Sequence, residues 1–102
     1  MQEEQYYTGS DLKFKIDLTA SGFDQASDEY KIEVSCGSKT VTFTDKDVKK
    51  IGNDYYLLIN TDLLRAGPMK FKVTAYVPDN AFDSGVRREV DVKKVGTLKN
   101  PV

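Results

Sequence analysis

The side chains best equipped for chemistry in this chain are its single cysteine, Cys36, and two spaced pairs of aspartates, Asp45 with Asp47 and Asp79 with Asp83. A cysteine attacks as the thiolate and needs a base or a cation beside it to become one. There is no histidine, which removes the commonest general base, the usual triads and most zinc sites in one step. Paired carboxylates suit glycoside hydrolysis or a hard cation. The stretch Asp79-Asn80-Ala81-Phe82-Asp83-Ser84-Gly85 nevertheless departs from a D-x-D-x-D-G calcium loop, and acidic residues in turns more often accept from backbone amides. The seven glycines form neither phosphate-loop spacing. The chain is expected to be no enzyme, with no catalytic residue, no metal and no cofactor.

The elements that would position these residues are strands. Met69, Phe71, Val73, Ala75 and Val77 alternate with Lys70, Lys72, Thr74 and Tyr76, a period of two that predicts a strand with one dry face and one wet. Its length predicts a central strand with neighbours on both sides. Leu12 to Ala20 alternates in the same way, and Lys13, Lys15, Lys70 and Lys72 would form a basic stripe if the two strands shared a sheet. The plainer reading is that these lysines keep an exposed face soluble. Tyr30, Ile32, Val34 and Cys36 face inward in a third strand, which places the cysteine in the core as a small apolar residue. Gly37-Ser38 turns the chain into Lys39–Thr44, with Val41 and Phe43 on one face.

Thr44 followed three residues later by Asp47 predicts a capped helical turn, and Thr61 is expected to cap another that Gly67 and Pro68 stop. Between them, Tyr55 to Asn60 is apolar on both faces; Tyr55, Leu57 and Ile59 are favoured as its buried set. Pro78 to Gly85 reads as a loop long enough to bind something, and Val86 to Val95 as a closing strand with Val90 and Val92 inward. The fold class expected is all-β, an antiparallel β-sandwich of about seven strands with one or two short helical turns, and a small barrel as the alternative. Residues 1–10 read as an N-terminal arm, 11–95 as the domain and 96–102 as a tail.

Fifteen basic against sixteen acidic residues leave almost no net charge, which argues against nucleic acid as a partner. A lone cysteine forms no internal disulfide. The start Met1-Gln-Glu-Glu-Gln lacks the basic and apolar regions of a signal peptide, and the longest apolar run is short, so neither export nor a membrane is expected. Tyr6, Tyr7, Tyr76 and Phe82 are the aromatics expected to be exposed or terminal, and with Asp79 and Asp83 they are the interface candidates.

Three stretches, T-G-S-D-L-K-F-K-I-D-L, N-D-Y-Y-L-L-I-N-T-D-L-L and K-F-K-V-T-A-Y-V-P-D-N-A-F-D-S-G-V-R-R-E-V, resemble immunoglobulin-like modules in structural proteins of tailed phages and prophages of gut Bacteroidales. The likeness spans most of residues 8–95. It implies an Ig-like sandwich made in the host cytoplasm and located in a virion, as a multi-copy decorating or auxiliary protein docking on capsid, tail or baseplate proteins through termini and loops. It transfers no functional residue, and the Cys, Trp, Cys core of antibody domains is missing. In that setting the arm would add to a neighbour's sheet edge, anchored by Tyr6 and Tyr7. The alternative is a carbohydrate- or cell-surface-binding adhesion module that holds a surface glycan against Tyr76, Phe82 and the 78–85 loop.

Overall fold

In the computed structural model, which describes residues 4–101, the strand expected over Met69 to Val77 runs from Gly67–Pro78 (β7). It pairs antiparallel with β3 (Tyr30–Cys36) on one side and β8 (Val86–Lys99) on the other. Its alternate residues Met69, Phe71, Ala75 and Val77 are buried, as are Tyr30, Ile32, Val34 and Cys36 of β3. Each fully buried Val, Leu, Ile, Phe or Met contributes about 1.5–3 kcal/mol. β4 (Lys39–Thr44) and β1 (Gln5–Tyr7) complete this sheet in the order β1-β8-β7-β3-β4. The second sheet holds β2 (Asp11–Lys15), β6 (Asp54–Asn60) and β5 (Lys49–Ile51) in the order β2-β6-β5. Leu12, Leu57 and Ile59 close the core from that side.

The chain is an all-β sandwich. If β2 is strand B, the sheets read B-E-D and C′-C-F-G, the strand order of an immunoglobulin-type sandwich, with β1 parallel to β8 at the far edge. Among the described residues the helical content is two single 3₁₀ turns, Asp45–Asp47 and Thr61–Leu63.

Several expectations change. The arm is partly a strand: Tyr6 and Tyr7 pair with Leu98 and Lys99 of the same chain, while Met1, Gln2 and Glu3 lie outside the described residues. The 96–102 tail supplies the end of β8, and Leu98 is 1% exposed; Val102 lies outside the described residues. This arrangement depends on Gly96, where a Cβ would stand 2.7 Å from both the Glu4 carbonyl and the Tyr6 ring. The strand expected to Ala20 ends at Lys15; one further bond to β6 follows, from the Ile16 N–H to the Tyr55 carbonyl at 2.8 Å, before the chain leaves that sheet. The 61–63 turn is capped by Asn60, whose side chain accepts from the Asp62 amide at 2.9 Å. Thr61 instead donates to the Ser10 carbonyl at 2.8 Å and accepts from the Gly9 N–H at 2.9 Å. The lysine stripe does not form, since β2 and β7 belong to opposite sheets.

Val90 and Val92 face outward, not inward. They pair with Thr74 and Lys72 on the outer face of β7, and they are 54% and 60% exposed. The register shift at Met69/Lys70 leaves Val95 as an extra residue, so beyond it Gly96 and Leu98 turn to the core.

Candidate functional site

Two strand ends and one strand edge hold the surface features of this domain. At one end, the β7–β8 hairpin closes through residues 79–85. The Asp79 N–H donates to the Gly85 carbonyl at 2.9 Å, and the Gly85 N–H donates to the Phe82 carbonyl at 2.8 Å. Asp79 accepts from the Ala81 amide at 3.0 Å and from the Arg87 guanidinium at 2.7 Å. The Ala81 amide and then Arg87 hold its carboxyl below the ordinary range. Arg87 also donates to Glu89 at 2.9 Å and to the Ser21 carbonyl at 2.9 Å, which ties the hairpin to the 21–29 loop. Phe82 is 48% exposed on this braced loop, and Asp83 is exposed beside it.

At the other end sit Tyr6 and Tyr7. Tyr6 is half-buried and packs edge to face on Phe14 at 5.5 Å, and burial pushes its phenol up. Tyr7 is 47% exposed. Along β8 from Val86 to Leu98 the two ends are roughly 40 Å apart at the usual strand rise, so the six candidate residues do not converge. Asp79, Phe82 and Asp83 share the loop, Tyr6 and Tyr7 share β1, and Tyr76 lies half-buried on the outer face of β7 opposite Arg88.

Asp45 and Asp47 serve the first 3₁₀ turn. Asp47 accepts from the Thr44 N–H at 2.9 Å, completing the expected capping box. Cys36 is fully buried, donates weakly to the Gly67 carbonyl at 3.4 Å, and has its thiol pushed up by burial. Among the described residues no three of His, Cys, Asp and Glu converge on a common point, and no helix is long and apolar enough to cross a membrane.

Between the two ends lies a feature that the sequence did not announce. After Ile16 the chain lifts away from the second sheet and runs to Ala20 over the β7–β8 half of the larger one, leaving an open groove of about 630 Å³. Its floor is Phe71, Val73 and Ala75; Leu18 and Ala20 form one wall, and Glu89, Asp91 and Lys93 the other. These three charges sit on the inward side of β8, opposite Ala75, Val73 and Phe71. They tolerate that position because the three-stranded sheet is too narrow to cover it. Gln25 holds the lifted segment in place: its amide donates to the Ile16 carbonyl at 2.9 Å and accepts from the Leu18 N–H at 3.2 Å. The side chain thus replaces the strand partner that β6 no longer supplies.

The edge of β8 borders this groove. β1 covers it only at Thr97 to Lys99. The Tyr76 N–H is taken by Glu29 on the β3 side, so by alternation the odd residues of β7 bond toward β8. On β8, Arg87, Glu89, Asp91 and Lys93 therefore bond toward β7, while the main chains of Arg88, Val90 and Val92 point to the uncovered side. Comparison with family models, with curated proteins and with solved structures gives no match for this chain.

Proposed function

We propose that the chain is a non-enzymatic structural component of a phage virion, a multi-copy decorating or auxiliary protein that docks on a larger assembly of capsid, tail or baseplate proteins. The observation that supports it most is the middle of β8. There one strand carries exposed valines outward, charges inward over an apolar groove, and main-chain donors and acceptors along an edge that no described strand covers. Such edges are places where a strand from another polypeptide adds itself, gaining main-chain hydrogen bonds and side-chain pockets together. The docking role expected of the arm passes to this edge, because residues 5–7 already serve their own sheet. The test is to produce the tagged chain in a host making phage particles and to purify those particles on a density gradient. The tagged chain is expected to travel with the particles; a chain left wholly in the free fraction overturns the reading.

A second reading rests on Phe82, a phenyl ring held out on a loop fastened by Asp79 and Arg87. An aromatic face on a rigid loop suits the apolar face of a sugar, and the module would then be an adhesion module for a surface glycan. A glycan array distinguishes it: selective binding lost in Phe82→Ala supports adhesion, and an array without selective binding removes it.

A further inference from the structure

We infer that the uncovered edge of β8 pairs with the same edge of a second copy, antiparallel about a two-fold axis at Asp91, joining two larger sheets into one. This deepens the assembly reading and rests on it. Three observations select the second copy as occupant.

The first is apolar complementarity. Val92 and Val90 are the most exposed large apolar side chains among the described residues, at 60% and 54%, and both lie on the uncovered strand. The second is length. No described strand pairs with residues 86–95 on that side, and an antiparallel two-fold must oppose residues of the same hydrogen-bonding parity. Two registers then use nine residues of the open edge, one centred on Val90 and one on Asp91. Charge, the third, decides between them. Centring on Val90 sets Glu89 against Asp91 twice and Arg87 against Lys93 twice, all like-charged. Centring on Asp91 sets Glu89 against Lys93 twice, and Val90 against Val92 twice in the hydrogen-bonded positions. Its unfavourable contacts are Arg88 with Lys94 at the exposed flanks and one Asp91 facing its own copy. Neither Asp91 nor Lys93 has an ion pair within the chain among the described residues. Lys93 is thus available to Glu89 of the second copy and lies diagonal to its Asp91, at a spacing that long side chains bridge. The paired stretch ends at Val95, where Gly96 and Glu4 begin the β1 ladder.

The test is sedimentation of the full chain over a concentration series reaching the millimolar range. A dimer is expected. Lys93→Glu and Glu89→Lys should each weaken it about tenfold or more, the double swap should restore it, and Asp91→Asn should tighten it. Val90→Pro removes an N–H that faces the open edge and no bond to β7, so it should give a folded monomer. Far-UV circular dichroism checks each variant, and the charge swaps, which sit on an exposed strand, keep the test valid if the proline variant unfolds. A monomer throughout the series, or a dimer unmoved by Lys93→Glu, overturns the inference. A wild-type monomer that still joins particles sinks the inference and leaves the assembly reading standing; a dimer that never joins particles does the reverse.

Discussion

Phe14 and Phe71 meet edge to face across the two sheets, with ring centroids 5.0 Å apart and planes inclined at 79°. They belong to β2 and β7, the strands counted above as B and F, which antibody domains join by a disulfide. A ring contact takes that place here, and Tyr6 adds a third ring against Phe14. Phe71→Ala is expected to cost about 3–5 kcal/mol, the range for emptying a buried aromatic site. Urea denaturation measures it. A loss below about 1 kcal/mol would mean that the pair is not the inter-sheet tie.

Gln25 is expected to matter more than a half-buried loop residue usually does. Gln25→Ala leaves the Ile16 carbonyl and the Leu18 N–H without their partner, and such orphaned groups cost about 1–3 kcal/mol. Hydrogen exchange localises the effect: the Leu18 amide should lose protection while the Ile32 amide keeps it. Gln25→Glu retains the acceptor for Leu18 and loses the donor to Ile16, so it should fall between the two.

How much of this was legible depends on whether both sides of an element were covered. Alternation gave the right buried face in Tyr30 to Cys36, and in Met69 to Val77 at Met69, Phe71, Ala75 and Val77, since both strands lie inside the sheet; Val73, at the open groove, is only half-buried, and Thr74, expected on the wet face, is buried. It also favoured the right set in β6, where Leu57 and Ile59 are buried and Leu58 is exposed. In Glu89-Val90-Asp91-Val92 the same alternation separates two faces without saying which one meets the core, and the narrow second sheet reverses the obvious choice. Three-residue strands such as β1 escape pattern reading because their stability comes from the partner, here β8 with the clearance at Gly96. The loop candidates Asp79, Phe82 and Asp83 were legible as a unit. Arg87, which braces them across 8 residues and ties them to Ser21 across 66, and Gln25, which shapes the groove across 9, carry no local pattern.

Cys36 should be inert in the folded protein. The thiol is fully buried and pushed up by burial, and only the thiolate reacts with disulfide reagents or alkylators. Labelling is expected to follow unfolding, with a rate that rises with urea as the sheet opens. Fast stoichiometric labelling under native conditions would show that the sheet around β3 opens locally, without unfolding of the whole core.

The Asp79 carboxyl makes stability depend on pH in a definite direction. Its folded-state pKa lies below the ordinary value, first through the Ala81 amide and then through Arg87. Folding therefore favours the ionised form, and its contribution is present above the ordinary carboxylate range and lost as pH falls through and below it. Asp79→Asn removes that term and keeps the shape. The melting temperatures of wild type and variant should differ most at neutral pH and converge in acid; a gap unchanged in acid would refute this. Because the side chains are partly open to water, added salt should shrink the Arg87 share and leave the Ala81 hydrogen bond in place. Arg87→Ala should consequently show a smaller and more salt-sensitive pH dependence than Asp79→Asn does relative to wild type. It should also loosen the hairpin from the Ser21 carbonyl, which raises amide exchange across residues 79–85 while the β3 core stays protected.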